Sequence, residues 1–284
     1  MTRYPMPLGR GQFLAPGEVC AVMGVLNVTP DSFSDGGRLG DVDAVVARAR
    51  QMRAAGAVIL DVGGESTRPG AEPVGVDEEL RRVIPAVTAL VERVGLPVSV
   101  DTRKRAVFDE AWEVGASMLN DVSGLTHDPE LAPFVAGTDA AVVLMHMRGD
   151  PRTMDARAGY DDCVAGVRDE LRERVDAAVA AGIARERIAV DPGLGFAKTH
   201  GQSLDLVRRV SELHDLGLPL VAGPSRKRFV GEITGRSAPR ERDAGTAALV
   251  GHLARAGVEM VRVHAVAPAV DVVRVERALL IGLP

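Results

Sequence analysis

Carboxylates, amides and cations recur at the ends of short apolar runs along this 284-residue chain. In order, those ends and the turns after them supply Asn27, Asp61 with Glu65, Asp101, Asn120 with Asp121, His146, Asp191, Ser225 with Lys227, and Arg262 with His264. Taken singly, such a residue makes a turn or caps the next helix. Asp121, Asp61 and Glu65 read best that way, as partners that hold their neighbours in place. Repetition at every strand end points beyond turn chemistry, to polar groups that converge on one cavity.

Two of these groups suggest a phosphate-bearing substrate. GPSRK at 223–227 and the R-x-H of Arg262 and His264 stand where many barrels bind phosphate, with backbone N–H groups adding to the cations. Arg262 offers a forked, permanent charge, and strand alternation points it the same way as His264. Segments 31–40 and 63–76 are too long for simple turns and rich in glycine, and read either as lids or as solvated loops. As lids they would bring Phe33, Asp35, Thr67, Arg68 and Pro69 over a substrate. His127, His200, His214 and His252 lack partners at metal-ligand spacing. His146, between Met145 and Met147, reads as a satisfied core residue, its methionines lining an apolar slot.

Parallel strands and helices must carry these residues. β-branched runs at 20–26, 57–62, 97–101, 117–121, 139–146, 187–191, 219–223 and 258–264 predict eight strands. Amphipathic stretches at 42–55, 77–93, 162–181 and 243–256 predict helices between them, and Gly56, Gly115, Gly182 and Gly257 fall where left-handed caps end a helix. No linker divides the chain, so 1–284 reads as a single (β/α)8 TIM barrel with long loops after strands one and two. An open doubly wound sheet is the alternative.

Composition narrows the function classes. A net charge of −5 without a basic stripe argues against nucleic acid as a partner. The N-terminal MTRYPMPLGRGQFLAPGE has no apolar core of a signal peptide, and no later stretch approaches a membrane span. Cys20 and Cys163 match no metal spacing and read as reduced thiols of a cytoplasmic protein.

The runs NVTPDSFSDGG at 27–37, GGESTRPG at 63–70, VDT at 100–102, NDVSG at 120–124, DPGLGF at 191–196, SRKRF at 225–229 and RVH at 262–264 occur together and in this order. By them the chain resembles the dihydropteroate synthases. The resemblance implies a homodimeric transferase of folate biosynthesis, with Mg2+, that joins 6-hydroxymethyl-7,8-dihydropterin pyrophosphate to p-aminobenzoate and releases pyrophosphate. It further implies a pterin pocket of Asp101, Asn120, Asp191 and Lys227 walled by Val122, Val143 and Met145, with Asp191 gripping the amidine-like ring edge. Asn27, Thr67, Arg262 and His264 would hold the pyrophosphate, Asn27 also reaching the metal. Phe33, Thr67, Arg68, Pro69, Phe196 and Lys227 would form the aminobenzoate site. Loss of pyrophosphate leaves a delocalised cation, which implies an SN1-like path with Asp35 stabilising it and Arg68 and Lys227 as the other catalytic groups.

Two positions depart from the family's habit: Ala265 where aspartate often follows the RVH histidine, and Ser203 where asparagine is common. A methyltetrahydrofolate-dependent methyltransferase would share the barrel and pocket but has no need of SRK or RVH. A non-catalytic pterin-binding paralogue would share everything but turnover. A Schiff-base aldolase using Lys227 is weaker, because Arg226 and Arg228 flank that lysine.

Overall fold

In the computed structural model, which describes residues 1–17, 20–29, 39–68 and 70–282, the apolar runs pair side by side as expected. Two short antiparallel strands, β1 (Met6–Gly9) and β2 (Gln12–Leu14), come first. Eight parallel strands follow: β3 (Ala21–Asn27), β4 (Ile59–Gly63), β5 (Val98–Asp101), β6 (Met118–Asp121), β7 (Ala141–Met145), β8 (Ile188–Asp191), β9 (Val221–Ala222) and β10 (Met260–Val263). They hydrogen-bond in the order β8-β7-β6-β5-β4-β3-β10-β9. The ring closes where Val190 N–H donates to the Pro219 carbonyl at 3.0 Å, beside a parallel bridge from Val190 to Leu220. That closure replaces the open-sheet alternative with a (β/α)8 barrel. β9 is the shortest barrel strand, and Pro219 just before it has no N–H to give a ladder.

Helices α1 (Leu39–Ala54), α2 (Val76–Arg93), α3 (Arg105–Glu113), α4 (Leu131–Ala136), α5 (Cys163–Ala180), α6 (His200–Arg208), α7 (Arg228–Thr234), α8 (Asp243–Arg255) and α9 (Val266–Ile281) follow the barrel strands, with α7 and α8 both between β9 and β10. The four predicted helical stretches are α1, α2, α5 and α8. Gly56, Gly115, Gly182 and Gly257 all have φ between +92° and +107°, the left-handed region that ends each helix and turns the chain into the next strand. The helices bury their apolar faces against the outward-facing strand residues, among them Leu60, Val100, Leu119, Leu144 and Val261.

Inside the ring, alternate residues form a buried apolar floor of Met23, Ile59, Met118, Val143, Val221 and Met260. The β1–β2 hairpin plugs that lower end with Met6 and Leu8. Gly9 has φ +82°, and a Cβ there would lie 1.7 Å from the Ser117 carbonyl oxygen, so only glycine brings the hairpin this close. Beside it the Arg10 guanidinium donates to the carbonyls of Ala116 at 3.0 Å and Trp112 at 2.8 Å. The chain before β1 is tied to the barrel by Glu259, whose Oε1 accepts from the N–H groups of Arg3 at 2.9 Å and Tyr4 at 3.2 Å, while its Oε2 accepts from Leu220 N–H at 2.7 Å. With the floor apolar and plugged, polar chemistry is confined to the other end. Among the described residues no helix is long and apolar enough to cross a membrane.

Candidate active site

Strand alternation that buries Ile59 inward also sends Asp61 inward, and the same holds for Asp101 after Ser99, Asn120 after Met118 and Arg262 after Met260. These side chains meet. Arg262 Nε donates to Asp61 Oδ2 at 2.5 Å and its Nη2 to Asp101 Oδ2 at 2.7 Å, and Asn120 Nδ2 donates to Asp61 Oδ2 at 3.2 Å. Asp61 is completely buried, with Oδ1 unpartnered, and acts as the support that aims Arg262 and Asn120. Burial pushes the Asp101 carboxyl up to about 7; Arg262 opposes this, while Asp61, Glu79 and Asp121 add to it. Burial also disfavours charge on Arg262, but the two carboxylates more than offset it and hold the guanidinium protonated.

Across the mouth, Asp191 ends β8 and accepts from Gly193 N–H at 2.7 Å. Burial raises its pKa, and that hydrogen bond together with Lys227 and Arg262 opposes the rise. A Cβ on Gly193, at φ +65°, would come within 2.0 Å of the His146 carbonyl oxygen, so the Asp-Pro-Gly turn can fold against β7 only with glycine. Lys227 precedes α7 with its Nζ 4.0 Å over the Phe196 ring. Burial pushes that ammonium down to about 8, against the pull of Asp191. Val122, Met145 and Phe196 form one apolar cluster at this level, whereas Val143 lies a layer lower, in the barrel floor.

His264 takes its orientation from Ser225. The serine Oγ lies 2.9 Å from His264 Nδ1 and accepts from His264 N–H at 3.1 Å, and Asn27 Nδ2 approaches Nε2 at 3.4 Å. Burial, then Arg262 and Arg226, drives the ring down to about 3, so it is neutral at pH 7. Ala265 contributes no side-chain cap to α9, and the hydroxyl of Ser225 does the orienting instead. Ser203, the other departure, accepts from Gly195 N–H at 3.2 Å and donates to Thr199 O at 3.0 Å, which is loop packing.

Arg226, grouped by sequence with the phosphate-gripping cations, has φ +58° and pairs with Asp243 through Nε at 2.7 Å and Nη2 at 2.8 Å. It fastens the β9–α7 loop to α8. Asp121 likewise serves its own turn, accepting from Ser123 N–H and Oγ at 2.7 Å and Leu125 N–H at 2.8 Å. Thr67 is half-buried and Arg68 exposed, at the rim of the mouth. Phe33, Asp35 and Pro69, and segment 31–38 of the first predicted lid, lie outside the described residues.

Two groups of charged residues escape a reading of strand ends. Arg103 Nη2 at 3.1 Å and Lys104 Nζ at 2.9 Å both donate to Glu65, which also accepts from Val74 N–H at 3.1 Å, and Lys104 reaches the fully buried Glu79 as well. This network anchors the β4–α2 loop that carries Thr67 and Arg68. Lys198 and Glu170 flank His146 beneath the Phe196 wall. The sequence signal for both groups was charge set directly beside a strand-end motif, in VDTRK and GLGFAK.

The chain matches the family described as pterin binding enzyme over residues 23–264. It is 43% identical over 277 residues to the dihydropteroate synthase of Synechocystis sp., covering 97% of this chain and 96% of that protein. It is similar to the dihydropteroate synthase of Xanthomonas albilineans solved with 4-aminobenzoic acid, at 45% identity and a TM-score of 0.91, over 99% of this chain and 100% of that one. The same organism's enzyme in complex with 7,8-dihydropteroate gives 43% identity and a TM-score of 0.86, over 96% and 98%. The chain therefore belongs to the pterin-binding enzymes and, among them, to the dihydropteroate synthase family.

Proposed function

We propose that this chain joins 6-hydroxymethyl-7,8-dihydropterin pyrophosphate to p-aminobenzoate, giving 7,8-dihydropteroate and pyrophosphate. The observation that carries the proposal is the division of the barrel mouth. Buried Asp101, Asn120 and Asp191 supply acceptors and an amide for a heterocycle, while Lys227, Arg262 and His264 supply donors for an anion. The molecules named for the Xanthomonas albilineans enzyme, 4-aminobenzoic acid and 7,8-dihydropteroate, are one of these substrates and the product, and support the reading.

In this reading Asp191 accepts two parallel hydrogen bonds from the amidine-like ring edge, Asn120 and Asp101 complete the ring's polar contacts, and Val122 and Met145 lie against its face. The C–O bond to pyrophosphate breaks with its electron pair leaving on oxygen, and Arg262, neutral His264 and Lys227 meet the charge that develops. Phe196 and Lys227, with Thr67 and Arg68 from the β4–α2 loop, hold aminobenzoate so that its amine nitrogen forms the new C–N bond and sheds its proton to solvent. Asp35, with Phe33 and Pro69, completes this reading as the carboxylate facing the cation.

In this reading Asn27 would reach magnesium, with Asp101 beside it. A Cβ at Gly63 would lie 3.8 Å from Asn27 Oδ1 and 3.7 Å from Asp101 Oδ2, so glycine leaves an oxygen-flanked cradle there. Mg2+ takes oxygen donors, commonly one or two from protein and the rest from water and substrate phosphate. Bound there it would neutralise charge on the leaving pyrophosphate. The same resemblance implies a cytoplasmic homodimer, and exposed Val275 and Leu279 on α9 offer apolar surface for a second copy.

The test is pyrophosphate release from the pterin substrate with Mg2+, with and without p-aminobenzoate, beside calorimetric binding of the pterin substrate alone. Aminobenzoate-dependent release is expected. Tight pterin binding without release would favour a non-catalytic paralogue, and failure of both would overturn the ligand assignment.

A further inference from the structure

One lysine amine is buried beneath the mouth with no carboxylate among its hydrogen-bond acceptors, and burial pushes its pKa down to about 7. Lys198, 6% exposed, directs Nζ at the Phe196 carbonyl at 2.8 Å, His146 Nδ1 at 2.9 Å and the His146 carbonyl at 3.5 Å. Because the Glu170 carboxylate, with Oε2 3.0 Å from Nε2, can only accept, the His146 ring proton sits on Nε2 and Nδ1 accepts from Lys198. Burial first, then the charge of Lys198, drives His146 down to about 4, so the ring is neutral and this tautomer is fixed. Arg148 holds the far end, donating from Nε to Glu170 Oε1 at 2.9 Å.

This chain of groups crosses from one strand exit to the next. His146 directly follows β7, while Phe196 and Lys198 lie in the loop between β8 and α6. Between them sit Met145, Met147 and Phe196, which share one apolar cluster. A methionine at 198 would bury equally well without desolvating an amine. What lysine adds is direction, since one nitrogen reaching the Phe196 carbonyl and two atoms of His146 fixes the Phe196 backbone relative to His146.

We propose that Lys198 is a positioning residue of the aminobenzoate slot, holding the Phe196 ring opposite Lys227 by tying the Phe196 carbonyl to His146. The inference rests on the placement of aminobenzoate between Phe196 and Lys227 made above. Once tied, the ring needs no ordering when aminobenzoate enters, so the benefit falls on binding of that substrate and leaves the pterin pocket alone.

Steady-state kinetics of the wild-type chain, Lys198→Met and Lys198→Gln, with both substrates varied, test it. Lys198→Met should raise the KM for p-aminobenzoate about tenfold, keep kcat within about twofold and leave calorimetric binding of the pterin pyrophosphate unchanged. Lys198→Gln keeps an N–H for the Phe196 carbonyl and should recover most of that loss. A wild-type KM in Lys198→Met, or a fall in kcat with KM unmoved, overturns the proposal. Should Lys198→Met not fold, Glu170→Gln at the partly exposed end of the chain decides by the same KM: a rise supports the tie, and no change overturns it. A wild-type chain without aminobenzoate-dependent turnover sinks the underlying function and this inference with it, whereas wild-type turnover without the KM split sinks this inference alone.

Discussion

Lys227 ties the residue-scale chemistry to a measurable pH. Its pKa is lowered to about 8, so it is an ammonium below that pH and loses its grip on an anion above it. In the pH profile of kcat/KM for the pterin pyrophosphate, an alkaline limb should therefore fall through about 8 and move to higher pH in Lys227→Arg. A limb that stays put in the variant would assign it to another group. Ser225 gives a second prediction: Ser225→Ala should release the His264 ring and raise the KM for the same substrate by about three- to tenfold, with a lowered urea midpoint from the His264 N–H that loses its acceptor. Much of this site was legible in the sequence, because a polar residue closing an apolar run on the strand's inward face has one place to go. Arg226 was not legible, since its pairing with Asp243 depends on a left-handed backbone that the run SRK does not announce. Nor was Lys198, whose partners are backbone and ring atoms from two different strand exits.

At the scale of the element, the β4–α2 loop is fastened through Glu65 by Arg103 and Lys104. Lys104 lies between Glu65 and Glu79, which are 6% and 0% exposed at the side chain, so Lys104→Met strands the buried Glu79 carboxylate and leaves Glu65 to Arg103 alone. About 3 kcal/mol of destabilisation in urea unfolding is expected, with a raised KM for p-aminobenzoate from the loosened Thr67 and Arg68. Burial raises the Glu65 carboxyl, but Arg103 and Lys104 outweigh it and hold the folded value below 4.5. The stability that Glu65 contributes is thus fully present above the unfolded value of 4.5 and is lost as pH falls through the lowered folded one. Sequence periodicity located the strands and the long helices, because burial on one face repeats along them. It left the Glu65 network dark, since its members come from a loop, a helix and a turn separated by tens of residues.

The whole molecule divides its labour between two ends of one barrel. Gly9→Ala, which drives a Cβ into the Ser117 carbonyl, should cost roughly 3 kcal/mol in unfolding yet leave KM for both substrates unchanged in the folded enzyme, because the hairpin plugs the end remote from Lys227. Eight strands and the resulting barrel were readable from their spacing. The plug was not, as MPLG is too short to carry a period and its glycine and arginine read as an ordinary turn. How the ring closes was equally hidden, and there Glu259 has a wider consequence. One of its carboxylate oxygens stands in for a strand carbonyl at Leu220, and the other holds the amides of Arg3 and Tyr4, so the seam of the cylinder and the start of the chain share one fastening. Removing residues 1–4 should then be felt at a distance, as faster amide hydrogen exchange at Leu220 while the amide of Val100 keeps its protection. Asp191 and Lys227 stand on either side of that same seam, at its opposite end.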